Sequence, residues 1–181
     1  MSAALCLALF AAFLLLAALE DLRTRRIPNW LVVGVGVLWL PWLIAGPASA
    51  GWPLALLLAL VAFLAGLLLF TRGILGGGDV KLITVVMLWA GLEHLALFTF
   101  VMSLTGGLLA VLSLIWQRYG WMIVPLLVPL QPTFGALRPI RRDGPATPAG
   151  EATEPAPVSL PYGIAIAAGG LAVALQHLKL I

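Results

Sequence analysis

Charged positions fall in a few short clusters along this chain, and between them lie uncharged apolar runs. A helix needs about 20 mostly apolar residues to cross the hydrocarbon core of a bilayer, and several runs have that length. The first, over 3–19, ends at Glu20-Asp21. It lacks the basic n-region and the cleavage site of a signal peptide, so it reads as a retained span. No charge occurs between Arg26 and Arg72, but Pro41, Gly46, Pro47, Gly51 and Pro53 punctuate that stretch. It divides into a second span over 30–45 and a third over 53–70. The fourth, over 79–92, is short: Val80 to Leu92 offers about 13 residues, roughly 20 Å of helix, before Glu93 and His94. Such a helix spans only if its ends dip below the interface or the bilayer thins. The fifth covers 95–117, a Pro-broken apolar piece over 121–130 reads as interfacial or re-entrant, and the sixth covers 161–178. Between them 138–157, rich in Pro, Gly, Ala and Thr, is expected to be a flexible cytoplasmic loop. The pattern predicts an all-α polytopic membrane protein of about six transmembrane helices, one membrane domain over 1–181.

Composition narrows the function classes. Of 181 residues, 62% are hydrophobic and 9% charged, with a mean hydropathy of +1.12. Soluble domains carry about 25% charge, so a soluble fold is excluded. The lone Cys6 rules out a disulfide framework and paired CxxC zinc sites. A net charge of +3 is too small to point to nucleic acid. Its distribution is informative, because basic residues mark cytoplasmic loops. With both termini outside, nine of the ten basic residues fall inside: Arg23, Arg25, Arg26, Arg72, Lys81, Arg118, Arg138, Arg141 and Arg142. Only Lys179 falls outside.

Seven acids can be weighed one by one. Asp143, Glu151 and Glu154 read as solvated loop charges, and Glu93 beside His94 as interface polarity. Neither His94 nor His177 has a second ligand at metal spacing, so no metal and no cofactor is expected. Glu20, Asp21 and Asp79 remain. Asp21 opens Asp21-Leu-Arg-Thr-Arg-Arg-Ile-Pro-Asn29, and Asp79 follows Gly76-Gly77-Gly78. By the charge pattern, both lie at the cytoplasmic face. An Asp at a helix start serves in many proteins as an N-cap, and one at the end of a span as an interface charge. Charges at membrane depth are nevertheless costly and tend to be functional. Three successive glycines admit a second backbone at close range, which a cap does not require. No Gly-Lys-Ser/Thr ending makes the run a phosphate loop. Two facing carboxylates cannot both ionise and so share a proton. The ionised member activates water while the protonated one polarises a carbonyl, as in aspartic proteases.

These residues resemble a known family. Asp21 with Ile27-Pro28-Asn29, then Gly76-Gly77-Gly78-Asp79-Val80-Lys81, then Pro161-Tyr162-Gly163, resemble in order the motifs of the type IV prepilin peptidases, membrane aspartic endopeptidases with a GxGD signature. The resemblance implies that Asp21 and Asp79 are the catalytic pair and that Gly76 and Gly78 shape the turn, with Gly77 between them. Lys81 matches the family's lysine two places after the aspartate, and equally fits a side chain snorkelling to the interface. Ile27, Pro28 and Asn29 read as a turn with Asn29 capping the second helix, an architectural role shared with Pro161, Tyr162 and Gly163. Glu20 matches no catalytic position.

Larger members carry an N-terminal extension with two CxxC pairs, linked to methylation. This chain begins at its first span with one cysteine, which resembles the short peptidases of tight-adherence (Flp-type) pilus systems and implies cleavage without methylation. The substrate expected from the resemblance is a prepilin cut after a glycine between a basic leader and an apolar helix, at the cytoplasmic face of the bacterial inner membrane. The rival from another class is a non-enzymatic membrane protein, a proton-coupled transporter or assembly subunit, using the same acids. A transporter is expected to hold them near the bilayer midplane, whereas here both fall at one edge. The sequence carries no reading of oligomeric state.

Overall fold

The computed structural model describes residues 3–45, 51–127 and 162–179. It has six helices and, among the described residues, no strand: α1 (Ala3–Thr24), α2 (Asn29–Ala45), α3 (Trp52–Thr71), α4 (Gly77–Ala90), α5 (Leu95–Leu127) and α6 (Tyr162–Lys179). By length and composition α1, α3 and the part of α5 to Trp116 can each cross a membrane. The other three are shorter or more polar, α2 with 17 residues and α4 with 14. Pro161 and the loop over 138–157 lie outside the described residues.

Boundaries differ from the sequence reading in two instructive places, at the end of α1 and along α5. α1 continues five residues past Leu19, so Asp21 sits on the helix itself and not beyond its end. α2 matches the expected 30–45 to within one residue and carries Pro41 inside it. In α5 the helix passes Gln117 and takes in 121–127, which the sequence reading had set apart as a separate apolar piece. Gly120 and Pro125 weaken a helix, Pro by removing one backbone bond, but no charged residue between them forces the chain out of an apolar path. Residues 128–130 of that piece lie outside the described residues.

α6 packs against α1, α4 and α5; α4 packs against α2, α3 and α6 and more lightly against α5, and α2 also packs on α1. Small residues explain the position of α6. The buried face of α6 is Gly163, Ala165, Ile166, Ala167, Gly169, Gly170, Val173, Ala174 and His177. Without a hydrophobic driving force in lipid, helices associate where small residues let backbones approach. The exterior is apolar to match. Only 6% of the apolar window of α5 and 17% of that of α3 are buried within the protein, and leucines such as Leu57, Leu64, Leu104 and Leu108 face outward. A surface of that kind fits lipid, not water.

The two ends of the bundle are chemically different. At one, Phe10 stacks on Trp89 at 4.2 Å, Trp42 lies 5.7 Å from Trp89, and His177 contacts both Trp42 (5.0 Å) and His94 (4.6 Å), all between ring centroids. Trp89 Nε1 donates to the Val35 carbonyl at 3.0 Å, and His177 Nε2 donates to the Trp89 carbonyl at 2.9 Å. That carbonyl belongs to the last turn of α4, where intrahelical donors run out. The opposite end gathers the end of α1 and the starts of α2, α4 and α6, and it carries the charged motifs.

Candidate active site

α1 ends without a glycine. Arg25 takes the left-handed conformation (φ 52), and its N–H donates to the Asp21 carbonyl at 3.0 Å, closing the last turn. A non-glycine residue in this region is strained, and such strain persists where surrounding structure imposes it. The reversal carries Ile27 across to the start of α4. There a Cβ built on Gly78 would lie 3.2 Å from the Ile27 Cβ. Gly78 is therefore the point where the chain leaving α1 touches the chain entering α4.

Asp79 occupies the third position of α4, after Gly76 as N-cap, and is half-buried. It is not itself the cap. Its carboxylate turns back toward Gly76, where a Cβ built on the glycine would lie 2.8 Å from Asp79 Oδ2. Asp21 is 6% exposed, and its Oδ2 accepts the Gly163 N–H at 2.8 Å, across 142 residues of sequence. Each carboxylate thus sits at a helix start, Asp79 beside that of its own α4 and Asp21 on an amide in the first turn of α6. Helix N-termini favour negative charge.

The two aspartates line one cleft of about 330 Å³. Its walls are Asp21, Arg25, Arg26 and Ile27 from the end of α1 and Gly76 to Asp79 from the start of α4. The Asp21 charge acts on Asp79, and the Arg25 guanidinium acts on Asp21. The cleft thus joins a pair of carboxylates to a three-glycine stretch of backbone.

The remaining motif residues distribute around it. Lys81 Nζ donates to Asn29 Oδ1 at 3.0 Å. Asn29 therefore uses its side chain to tie the start of α2 to α4, and it is the first residue of α2 where the sequence suggested its cap. Lys81 bridges helices and does more than snorkel. Tyr162 and Gly163 open α6, Gly163 directly on Asp21. His94 and His177, judged separately in the sequence, meet at the far end of the bundle. Among the described residues no three His, Cys, Asp or Glu side chains gather as a metal site.

Two features of the cleft escaped the sequence reading. Arg25 and Arg26 were counted only as topology markers, yet they line the cleft. Their position four and five residues after Asp21 was the available signal, because that spacing keeps them within about a turn of it. The Gly163 amide had no local signal at all.

The fold and surface define an all-helical membrane protein in which two aspartates line a cleft at one end of the bundle. A sequence model of the type IV leader peptidase family matches residues 8–111, more than half of the chain, and the protein belongs to that family. No curated protein and no solved structure matches the chain.

Proposed function

We propose that the protein is an aspartic endopeptidase that removes the leader peptide from Flp-like type IV prepilins, with Asp21 and Asp79 as its catalytic pair. One observation carries the reading: two acids 58 positions apart in the sequence line the same cleft beside the glycine run. Family membership supplies the reaction class.

In this mechanism one carboxylate takes a proton from water as its oxygen attacks the scissile carbonyl. The other, protonated, donates to the carbonyl oxygen. The tetrahedral intermediate then loses the amine, which takes up a proton. The products are a new carboxyl end on the leader and a new amino end on the pilin. The glycine run lets an extended substrate backbone lie close to Asp79, since no side chain stands between them. The apolar part of the substrate lies among the spans in the bilayer.

Topology belongs to the same proposal. The chain has six spans with both termini outside, and the cleft faces the cytoplasm of a bacterial inner membrane. The basic residues Arg23, Arg25, Arg26, Arg72 and Lys81 near this end support that orientation. The 14-residue α4 supports a cleft set slightly below the interface, at the depth of a substrate's leader junction.

The test is co-expression with a Flp-type prepilin in a host lacking prepilin peptidases. The expected product is a faster-migrating pilin whose new N-terminus, read by mass spectrometry, follows the leader glycine. A prepilin that keeps its full mass in the presence of membrane-inserted protein refutes the proposal.

A further inference from the structure

We propose that Gly163 is a positioning residue for catalysis, holding Asp21 through its backbone N–H so that one carboxylate oxygen is fixed and the other is left to the reaction. The proposal rests on the peptidase reading above and adds α6 to the catalytic machinery. Gly163 lies outside residues 8–111, so the family match does not speak for it.

Three observations carry it. The Gly163 N–H donates to Asp21 Oδ2 at 2.8 Å, and both residues are buried. The contact has no room for a side chain: a Cβ on Gly163 would lie 2.7 Å from Oδ2 and 2.9 Å from both Cβ and Cγ of Asp21. Finally, Asp21 stands in the cleft with Asp79. Of the two carboxylates, Asp79 stands in the first turn of its own helix, three residues after the Gly76 N-cap. Asp21 takes its amide from α6, which also packs on α1 and α4. The placement of Asp21 against Asp79 therefore depends on where α6 begins. An amide donor leaves Oδ2 with one satisfied direction and turns the carboxylate plane, so Oδ1 is the oxygen that meets water or the scissile group. A purely architectural role would require only that α6 pack, and Ala165 and Ala167 show that small side chains are accommodated elsewhere on that face.

The experiment uses the full chain in detergent micelles and a fluorogenic peptide carrying a basic leader, a glycine junction and the first apolar residues. For Gly163→Ala the nearest clash is 0.7 Å inside the 3.4 Å of ordinary contact. Misplacement by about 1 Å costs on the order of 100-fold, so kcat per folded molecule is expected to fall by roughly tenfold or more. KM stays within about twofold, because the substrate is held by other parts of the protein. A structural role alone lowers the folded fraction and leaves kcat of that fraction unchanged, and this result overturns the proposal. Thermal unfolding of a double-mutant set gives the second measurement. Gly163→Ala lowers Tm in the wild-type background but not in Asp21→Gly, where no side-chain atom of residue 21 meets the added methyl. If the single variant fails to fold, recovery of folding in Asp21→Gly/Gly163→Ala supports the contact, and equal failure of both refutes it. A wild-type chain that leaves the peptide intact refutes the peptidase reading, whereas an active wild type with an equally active Gly163→Ala refutes only the positioning role.

Discussion

The three glycines ahead of Asp79 are chemically identical, yet replacing each by alanine has a different expected result. None of the three differences comes from backbone dihedrals. Gly76, for example, has φ −74 and ψ 145, which any residue adopts. The difference is what a methyl would meet. At Gly76 a Cβ would lie 2.8 Å from Asp79 Oδ2, about 0.6 Å inside the 3.4 Å of ordinary contact. The carboxylate must shift by about that much, and with 100-fold lost per ångström of misplacement the rate falls on the order of tenfold. At Gly78 a Cβ would lie 3.2 Å from Ile27 Cβ, a deficit of 0.2 Å against a neighbour whose backbone closes the cleft. A loss of about two- to threefold follows on the same scale. At Gly77 a Cβ would lie 3.3 Å from the Phe70 ring, which is half-exposed and free to turn outward. Activity stays within about twofold of wild type. The assay is kcat on the fluorogenic leader peptide, with each variant normalised to folded protein in detergent. The order Gly77→Ala, Gly78→Ala, Gly76→Ala, from mildest to worst, is the expected result. Gly77→Ala as damaging as Gly76→Ala refutes the reasoning, because the loss would then follow from glycine content and not from the space around Asp79.

Two further outcomes follow from the ties at either end of the bundle. Lys81→Met removes the bond to Asn29, an exposed pair worth under about 1 kcal/mol; prepilin processing slows a few-fold at most, and adding Asn29→Ala costs nothing more in a double-mutant cycle. His177→Ala leaves the buried Trp89 carbonyl unpaired and is expected to cost about 1–3 kcal/mol of unfolding free energy in detergent. Its kcat stays at the wild-type level, because Trp89 lies ten residues, about 15 Å of helix, from Asp79.

Spans and motifs were legible in the sequence for different reasons. Apolar length announces α1, α3 and the first part of α5 directly, because lipid demands it. Helix ends were less legible. Nothing local says that α1 continues through Glu20 and Asp21 to Thr24, since charged residues at the membrane edge are as content in a helix as in a loop. Pro41 and Pro125 punctuate soluble helices, yet in a bilayer an interrupted helix is still cheaper than exposed loop backbone, so the helices pass through both. Asp21 and Asp79 were found because charge is scarce. What holds them was divided. The place of Asp79 in the first turn of α4, three residues after Gly76, follows from the local sequence. The Gly163 amide lies 142 residues after Asp21, and no spacing rule reaches that far. The His94–His177 contact was hidden for the same reason, being made only when α6 packs between its neighbours.

The pair of carboxylates is the centre of the account, and the most direct test removes each without changing its shape. Asp21→Asn and Asp79→Asn, made separately and inserted at wild-type levels, are expected each to abolish conversion of a co-expressed Flp-type prepilin, read by gel mobility. Near-wild-type processing by either variant contradicts the account, because a pair that shares one proton cannot work with one acid.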